Sequence, residues 1–264
     1  MTVLPGAPVS PLVTGAEYVR QITARGSDRR ARAAFQQLAL QLAPARATVF
    51  DFGCGAGLDA CRYAAEGRAV IAYDVDRSMC QYFAMHCAQP IAQGNIRLEG
   101  GPYADFIARR RHGAPWRAAL VTANFAPLNL IGDLHELFAV FHAVTLPEGK
   151  VLASVLNPFF LGDLRYFWWW RHLLPLLRTG SFALPGAQAA IHRRRVREFA
   201  AQSAPYFTLE RVFAGLPARA AAAEGMAGPL RPQLLTCRFL FLLFSRQAVS
   251  HSAAAVAEQR GVEE

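Results

Sequence analysis

The sequence predicts an α/β fold in three layers, a largely parallel sheet with helices on both faces. Three observations carry that expectation. From residue 48 to residue 156, short apolar runs alternate with amphipathic segments of helical length. The first apolar run enters a turn with three glycines, Gly53, Gly55 and Gly57, and a helical pattern starts directly after it. The 264 residues, 53% of them hydrophobic, suffice for one large domain with a sizeable core and argue against disorder.

Residues 1–15, rich in Pro and Gly, read as a flexible N-terminal arm. Residues 16–43 carry Val19, Ile22, Phe35, Leu38 and Leu42 at roughly helical spacing. Two helices parted near Gly26-Ser27-Asp28 fit, with Ser27 or Asp28 as the second N-cap. Strands are expected at Thr48–Phe52, Ala69–Tyr73, Ile96–Leu98, Ala118–Ala123 and Lys150–Leu156, with helices at 58–66, 77–88, 103–111 and 133–145. Residues 157–190 break the rhythm and read as an inserted cap with an aromatic cluster: Phe159, Phe160, Tyr166, Phe167 and Trp168–Trp170. A helix over Arg193–Gln202 and strands over Phe207–Phe213 and Leu234–Ser245 complete a single domain over 16–245. The polar, Ala-rich residues 246–264 are expected to fray.

The formal charge of +9 fits nucleic acid, a membrane surface or an anionic substrate. It equally fits a composition bias, since Lys150 is the only Lys and Ala is abundant. The five Cys form no C-x-x-C pair and have no His at ligand spacing, so no metal site is expected. Reduced, buried thiols are the economical reading, since a disulfide at Cys54 or Cys61 would interfere with the glycine turn. No basic region followed by an apolar run marks a secretory signal, and a cytoplasmic location is expected. The apolar stretches Phe159–Leu177 and Leu234–Phe244 are respectively interrupted by charges and too short to span a bilayer.

The chemistry lies in Thr48–Gly57 and Asp74. Glycines let backbone approach a ligand closely, and the helix N-terminus after them offers free N–H groups. Asp74, ending the next strand, suits hydrogen bonds to ribose hydroxyls. Dinucleotide folds space their glycines G-x-G-x-x-G, whereas here the spacing is G-x-G-x-G and Asp51 precedes it. A carboxylate there is unfavourable beside a pyrophosphate but suits a cationic ligand.

Asp51-Phe-Gly-Cys-Gly-Ala-Gly57 resembles the first signature of class I S-adenosylmethionine-dependent methyltransferases. Tyr73-Asp74-Val75-Asp76 is similar to the family's second element, and Leu146-Pro-Glu-Gly-Lys-Val-Leu152 to its turn into the fifth strand. The resemblance covers residues 16–156 and, more weakly, the last two strands. It implies a Rossmann-like seven-stranded sheet of order 3-2-1-4-5-7-6 with the last strand antiparallel. It implies S-adenosyl-L-methionine as cofactor, contacted by Asp51, Gly53, Cys54, Gly55, Gly57, Asp74 and Val75, with Asn124 bordering the transferring methyl. The sequence departs from the family after the third strand, where an Asp beside the adenine is replaced near Gly100 or Gly101. Glu99 or backbone N–H groups, or apolar contact alone, take that role.

The expected acceptor is a small molecule or lipid-like, methylated at oxygen. Asn124-Phe-Ala-Pro127 does not match the Asn/Asp-Pro-Pro-aromatic tetrad of amino methyltransferases, which disfavours nucleic acid. The alternatives are an RNA or protein methyltransferase and a non-catalytic S-adenosylmethionine-binding protein. An oxygen acceptor of high pKa needs a base; His135 and His142 read as packing or surface residues of one helix, and His192 as the candidate base. Phe125, Phe159, Tyr166 and Trp169 are candidate pocket residues. The aromatic segment 159–172 lines that pocket, packs on the sheet edge or meets a membrane interface peripherally. The run Arg193–Arg197 reads as a solvated helix face or an anion contact.

Overall fold

Strand β1 (Thr48–Phe52) occupies an interior position of the main sheet, and its alternation divides the core. Phe50 and Phe52 enter one cluster with Tyr73, Phe106 and Phe141, whereas Val49 joins Phe35, Ala60, Tyr63 and Phe83 in another. In the computed structural model, residues 14–185, 190–214 and 235–247 are described. The remainder of the expected arm and tail, and Leu234, lie outside the described residues.

Two helices, α1 (Gly15–Ala24) and α2 (Gly26–Leu42), precede β1. Their junction differs from expectation. Arg25 is the N-cap of α2 without a side-chain bond, and Ser27 and Asp28 lie inside its first turn. The chain continues through α3 (Leu58–Ala65), β2 (Ala69–Asp74), α4 (Arg77–His86), α5 (Ala88–Ala92), β3 (Ile96–Gly100) and α6 (Tyr103–Arg110). The expected helix over 77–88 is thus two, because Pro90 has no N–H to continue the α4 ladder. Next come β4 (Ala118–Ala123), α7 (Leu134–Val144) and β5 (Thr145–Leu156), then α8 (Phe167–Thr179), β6 (Ser181–Leu184), β7 (Ile191–Arg194), α9 (Val196–Ser203), β8 (Phe207–Ala214) and β9 (Phe239–Arg246).

The main sheet has the order β3-β2-β1-β4-β5-β9-β8. The first five strands are mutually parallel, and β9 runs antiparallel to both β5 and β8. Setting aside the separate β6–β7 hairpin, this is the expected 3-2-1-4-5-7-6 with the last strand antiparallel. Buried parallel strands need apolar residues on both faces, which the continuous burial of β1 and β4 satisfies.

The hairpin corrects two expectations. Strand β7 (Ile191–Arg194), paired with β6, lies beyond the expected cap boundary at 190, and helix α9 starts at Val196 rather than Arg193. Arg193 and Arg194 are strand residues, only 3% and 4% exposed. Arg193 Nη1 donates to the Asn157 carbonyl at 2.9 Å, and its other terminal nitrogen lies 3.3 Å from Asp163 Oδ2. Arg194 donates to the carbonyls of Ile131 and Gly132, each at 2.7 Å. These are structural cations tying the hairpin to the loops after β4 and β5, not a solvated helix face. A guanidinium with this many fixed acceptors tolerates burial that an unpaired one does not.

The thiol expectation also changes. Helices α3 and α4 lie on the same side of β2 and bring Cys61 and Cys87 to a Cα separation of 6.3 Å, where they form a disulfide. Cys54 and Cys80 remain thiols. No helix among the described residues is long and apolar enough to cross a membrane.

Candidate functional site

The glycine turn follows β1 because Gly53, Gly55 and Gly57 all take positive φ, at 69°, 53° and 80°. At Gly57 a Cβ would also meet the Phe83 ring at 2.4 Å, so α3 starts there only if the side chain is absent. Gly55 differs, since the nearest atom to its notional Cβ is Tyr18 Cε1 at 4.0 Å. Its turn therefore faces open space bounded by α1.

Asp51 and Asp74 flank the turn. Asp51 is 1% exposed. Its Oδ1 accepts from Thr122 Oγ1 at 2.8 Å, across the β1–β4 pairing, while Oδ2 is buried with no hydrogen-bond partner. Burial, reinforced by the charge of Asp59, pushes this carboxyl up to about 8. Asp74 Oδ2 accepts from the Gly55 N–H at 2.7 Å and Oδ1 from the Asp76 N–H at 2.8 Å, so the acid holds the loop in shape. Burial raises its pKa too, opposed by those N–H bonds. Val75, next along, is 57% exposed and offers an apolar surface at the strand ends. Cys54 is buried, with its thiol held well above the ordinary range by desolvation.

Asp59, in the first turn of α3, is the hub of a network the sequence does not disclose. It accepts from Arg32, from Gln36 Nε2 at 2.8 Å and from Asn124 Nδ2 at 3.0 Å. The amide oxygen of Asn124 accepts from the Phe125 N–H at 2.9 Å. The side chain of Asn124 therefore joins β4 to α3 and caps the following turn. Glu99 is similarly engaged, taking two 2.6 Å bonds from Arg110, so it is not a free partner for an adenine.

The turn after β4 is strained. Phe125 and Ala126 both have positive φ, 61° and 69°, in residues that carry a Cβ. The strain aims the Phe125 ring back under α2, where the Arg32 guanidinium lies 4.4 Å from its centroid and the Phe239 ring 5.1 Å away. Beside it opens a cavity of about 120 Å³. Its wall comes from Tyr18 and Ile22 on α1, from Arg25 at the α1–α2 junction, from Phe125 and Asn129 after β4, and from Ile191 and Phe239. Tyr18 thus borders both the glycine turn and the cavity. Desolvation raises its phenol, with the Arg32 charge opposing, so the group is a neutral hydroxyl at ordinary pH.

Of the expected pocket residues, only Phe125 lines this cavity. Trp169 is buried within the cap, its indole N–H bonded to the Pro158 carbonyl at 3.1 Å. Tyr166 stacks on Trp168 and under Arg165, and Phe159 is half-buried in the same cap. His192 is not brought to the cavity either. Its neighbour Ile191 points there, while its own ring lies beside Gly132, and burial and Arg194 lower its pKa. His135 and His142 pack against Tyr206. Tyr18, Arg32 and Asp59 are the site residues that sequence reasoning missed. The only signal was Asp59, two residues past Gly57.

No protein-family model matches the sequence, and no curated protein matches it. The fold, however, is similar to solved structures. A TehB-like SAM-dependent methyltransferase from Corynebacterium glutamicum aligns over 88% of this chain and 96% of its own, with a TM-score of 0.56 and 15% identity. The 1,6-didemethyltoxoflavin-N1-methyltransferase of Burkholderia thailandensis, solved with its substrate and S-adenosylhomocysteine, aligns over 89% and 87%, with a TM-score of 0.58 and 16% identity. An S-adenosylmethionine-dependent methyltransferase from Mesorhizobium loti aligns over 84% and 100%, with a TM-score of 0.56 and 18% identity. At these identities the likeness is one of fold.

Proposed function

We propose that this chain is an S-adenosyl-L-methionine-dependent methyltransferase acting on a small-molecule or lipid-like acceptor, at oxygen. The observation that carries this reading is Asp51 Oδ2, a buried and unpartnered carboxyl oxygen beneath a glycine turn. An orphaned acceptor costs stability unless a donor reaches it, and an α-ammonium group is a fitting donor. Gly55 offers the turn close approach, Asp74 can exchange its loop bond for ribose hydroxyls, and Val75 can flank an adenine. Gly53, Cys54 and Gly57 hold the turn, and Asn124 holds the strand end from behind. The chain's fold likeness to methyltransferases, one crystallised with S-adenosylhomocysteine, agrees with this reading.

Bound there, S-adenosyl-L-methionine would supply an electrophilic methyl on its sulfonium. An acceptor oxygen would take that methyl, leaving the cofactor as its neutral thioether, and would lose its proton to solvent or a base. The protein's share is positioning and exclusion of water. Tyr18, neutral and placed between turn and cavity, would hold the acceptor by a hydrogen bond. Among the described residues that line the cavity there is no His. Titrating the protein with S-adenosylhomocysteine and with NAD tests the reading: the first binds and the second does not. Preferential NAD binding overturns it, and a methyl-transfer screen over small-molecule and lipid extracts then identifies the acceptor.

A second proposal concerns location. On α8 the side chains of Phe167, Trp170, Leu174 and Leu177 are each more than half exposed and recur at helical spacing. Arg171 and Arg178 share the exposed surface of the helix. An aromatic stripe with adjacent cations fits peripheral contact with an anionic bilayer surface, the protein itself remaining in the cytoplasm.

A further inference from the structure

The cavity beside Tyr18 shares Asp28, Arg238 and Phe239 with a second recess of about 250 Å³. The body of the first is apolar: Ile22, Phe125, Leu130, Leu156, Ile191 and Phe239. The charges around the shared wall do not balance. Arg25, Arg30, Arg165 and Arg238 line the two recesses, against the carboxylates Asp28 and Asp163. Asp163 is already paired with buried Arg193 at 3.3 Å. Asp28 must serve both Arg25 and Arg238, and it reaches them only at 3.9 Å and 4.0 Å, beyond N–H···O bonding range. Arg238 is largely buried, and Arg25 about half exposed. Among the described residues neither guanidinium has a carboxylate within N–H···O bonding range, so this wall carries cationic donors that an added anion would engage.

We propose that the acceptor pairs a compact apolar body, seated in the cavity, with an anionic group, carboxylate or phosphate ester, held between Arg238 and Arg25. This rests on reading the cavity as the acceptor site. A volume of about 120 Å³ matches a ring-sized body, on the order of four waters displaced. Paired on a fixed fork, a carboxylate or phosphate gains two charge-assisted bonds that a neutral group cannot make.

The test is read on binding, without cofactor, using benzoate, phenyl phosphate and benzamide as probes of one shape and different charge. Calorimetry on the full chain should show at least one anion binding about tenfold more tightly than benzamide. The tighter of the two anions distinguishes a carboxylate from a phosphate. Arg238→Gln should reduce that preference to about twofold or less, with S-adenosylhomocysteine affinity unchanged. If that variant does not fold, Arg25→Gln, on a more exposed side chain, carries the same readout. Equal binding of benzamide, a preference that survives the substitution, or no probe binding at millimolar concentration overturns the inference. Loss of S-adenosylhomocysteine binding by the wild-type chain would instead defeat the methyltransferase reading, so the two failures are separate.

Discussion

Thr122 on β4 donates its hydroxyl to Asp51 Oδ1 on β1, at 2.8 Å, and by doing so leaves Oδ2 of the same carboxyl as the unpaired atom. The bond crosses the register pair Asp51↔Thr122 in the parallel sheet. It fixes the plane of the carboxyl and hence where a ligand's donor must arrive.

Asp51 makes the free protein pH-sensitive. Its folded pKa, about 8, is raised above an ordinary carboxyl, so its contribution to stability is full below about 3.8 and is lost as pH rises towards 8. The wild-type Tm should therefore fall more steeply between pH 5 and pH 8 than that of Asp51→Asn. A ligand ammonium favours the ionised acid, so S-adenosylhomocysteine binding near neutrality should release a proton. Calorimetry in buffers of different ionisation enthalpy measures that release, and its persistence in Asp51→Asn would refute the assignment.

Asp74 is expected to matter for ligand and loop together. Replacing it with Ala removes the acceptor for the Gly55 N–H. S-adenosylhomocysteine affinity should drop by at least tenfold, about 1.4 kcal/mol or more, while the far-ultraviolet circular dichroism stays that of the wild type.

Tyr18→Phe keeps the ring against Gly55 and deletes only the hydroxyl. Methyl transfer to the acceptor found in the screen should slow by about 10–100-fold, with S-adenosylhomocysteine binding within about twofold of wild type. A parallel loss of both would make Tyr18 a cofactor-site residue only.

Arg193 and Arg197 belong to one basic run but should behave oppositely. Arg193→Gln leaves Asp163 without its partner in a buried site and should cost about 3–5 kcal/mol. Arg197 is exposed, and its replacement should shift stability by no more than about 0.5 kcal/mol. Chemical denaturation of the two variants decides between them.

Membrane contact, if α8 makes it, depends on its outward stripe. Co-sedimentation with vesicles containing anionic lipid should fall when Phe167, Trp170, Leu174 and Leu177 are replaced by Ser, and should weaken with salt. Absence of any binding by the wild-type chain retires the proposal.

How much the sequence discloses depends on how local each feature is. The strand, the glycine turn, the helix and Asp74 fall within the 27 residues Thr48–Asp74, and their spacing alone displays the logic of the turn. The strand β7 was hidden because its partner is β6, across a reversal, and because Arg193 and Arg194 look solvent-bound until remote carbonyls at Asn157, Ile131 and Gly132 are brought to them. The aromatic cluster was visible but not its orientation. Trp169 turns inward to Pro158, while Phe167 and Trp170 face outward. Tyr18 and Arg32 reach the site only through the way α1 and α2 lie over the sheet, which no periodicity encodes.

The cavity wall is assembled from five stretches of chain, around residues 18–28, 125–130, 156, 191 and 238–239, none of which contains the glycine turn. On the proposed reading, cofactor use and acceptor choice would therefore be separately heritable except at Tyr18, which borders both the turn and the cavity. Changes that retune the second can accumulate one stretch at a time without disturbing the first, and a chimera exchanging only the 157–194 segment would inherit one wall of a foreign recognition site rather than the whole of it.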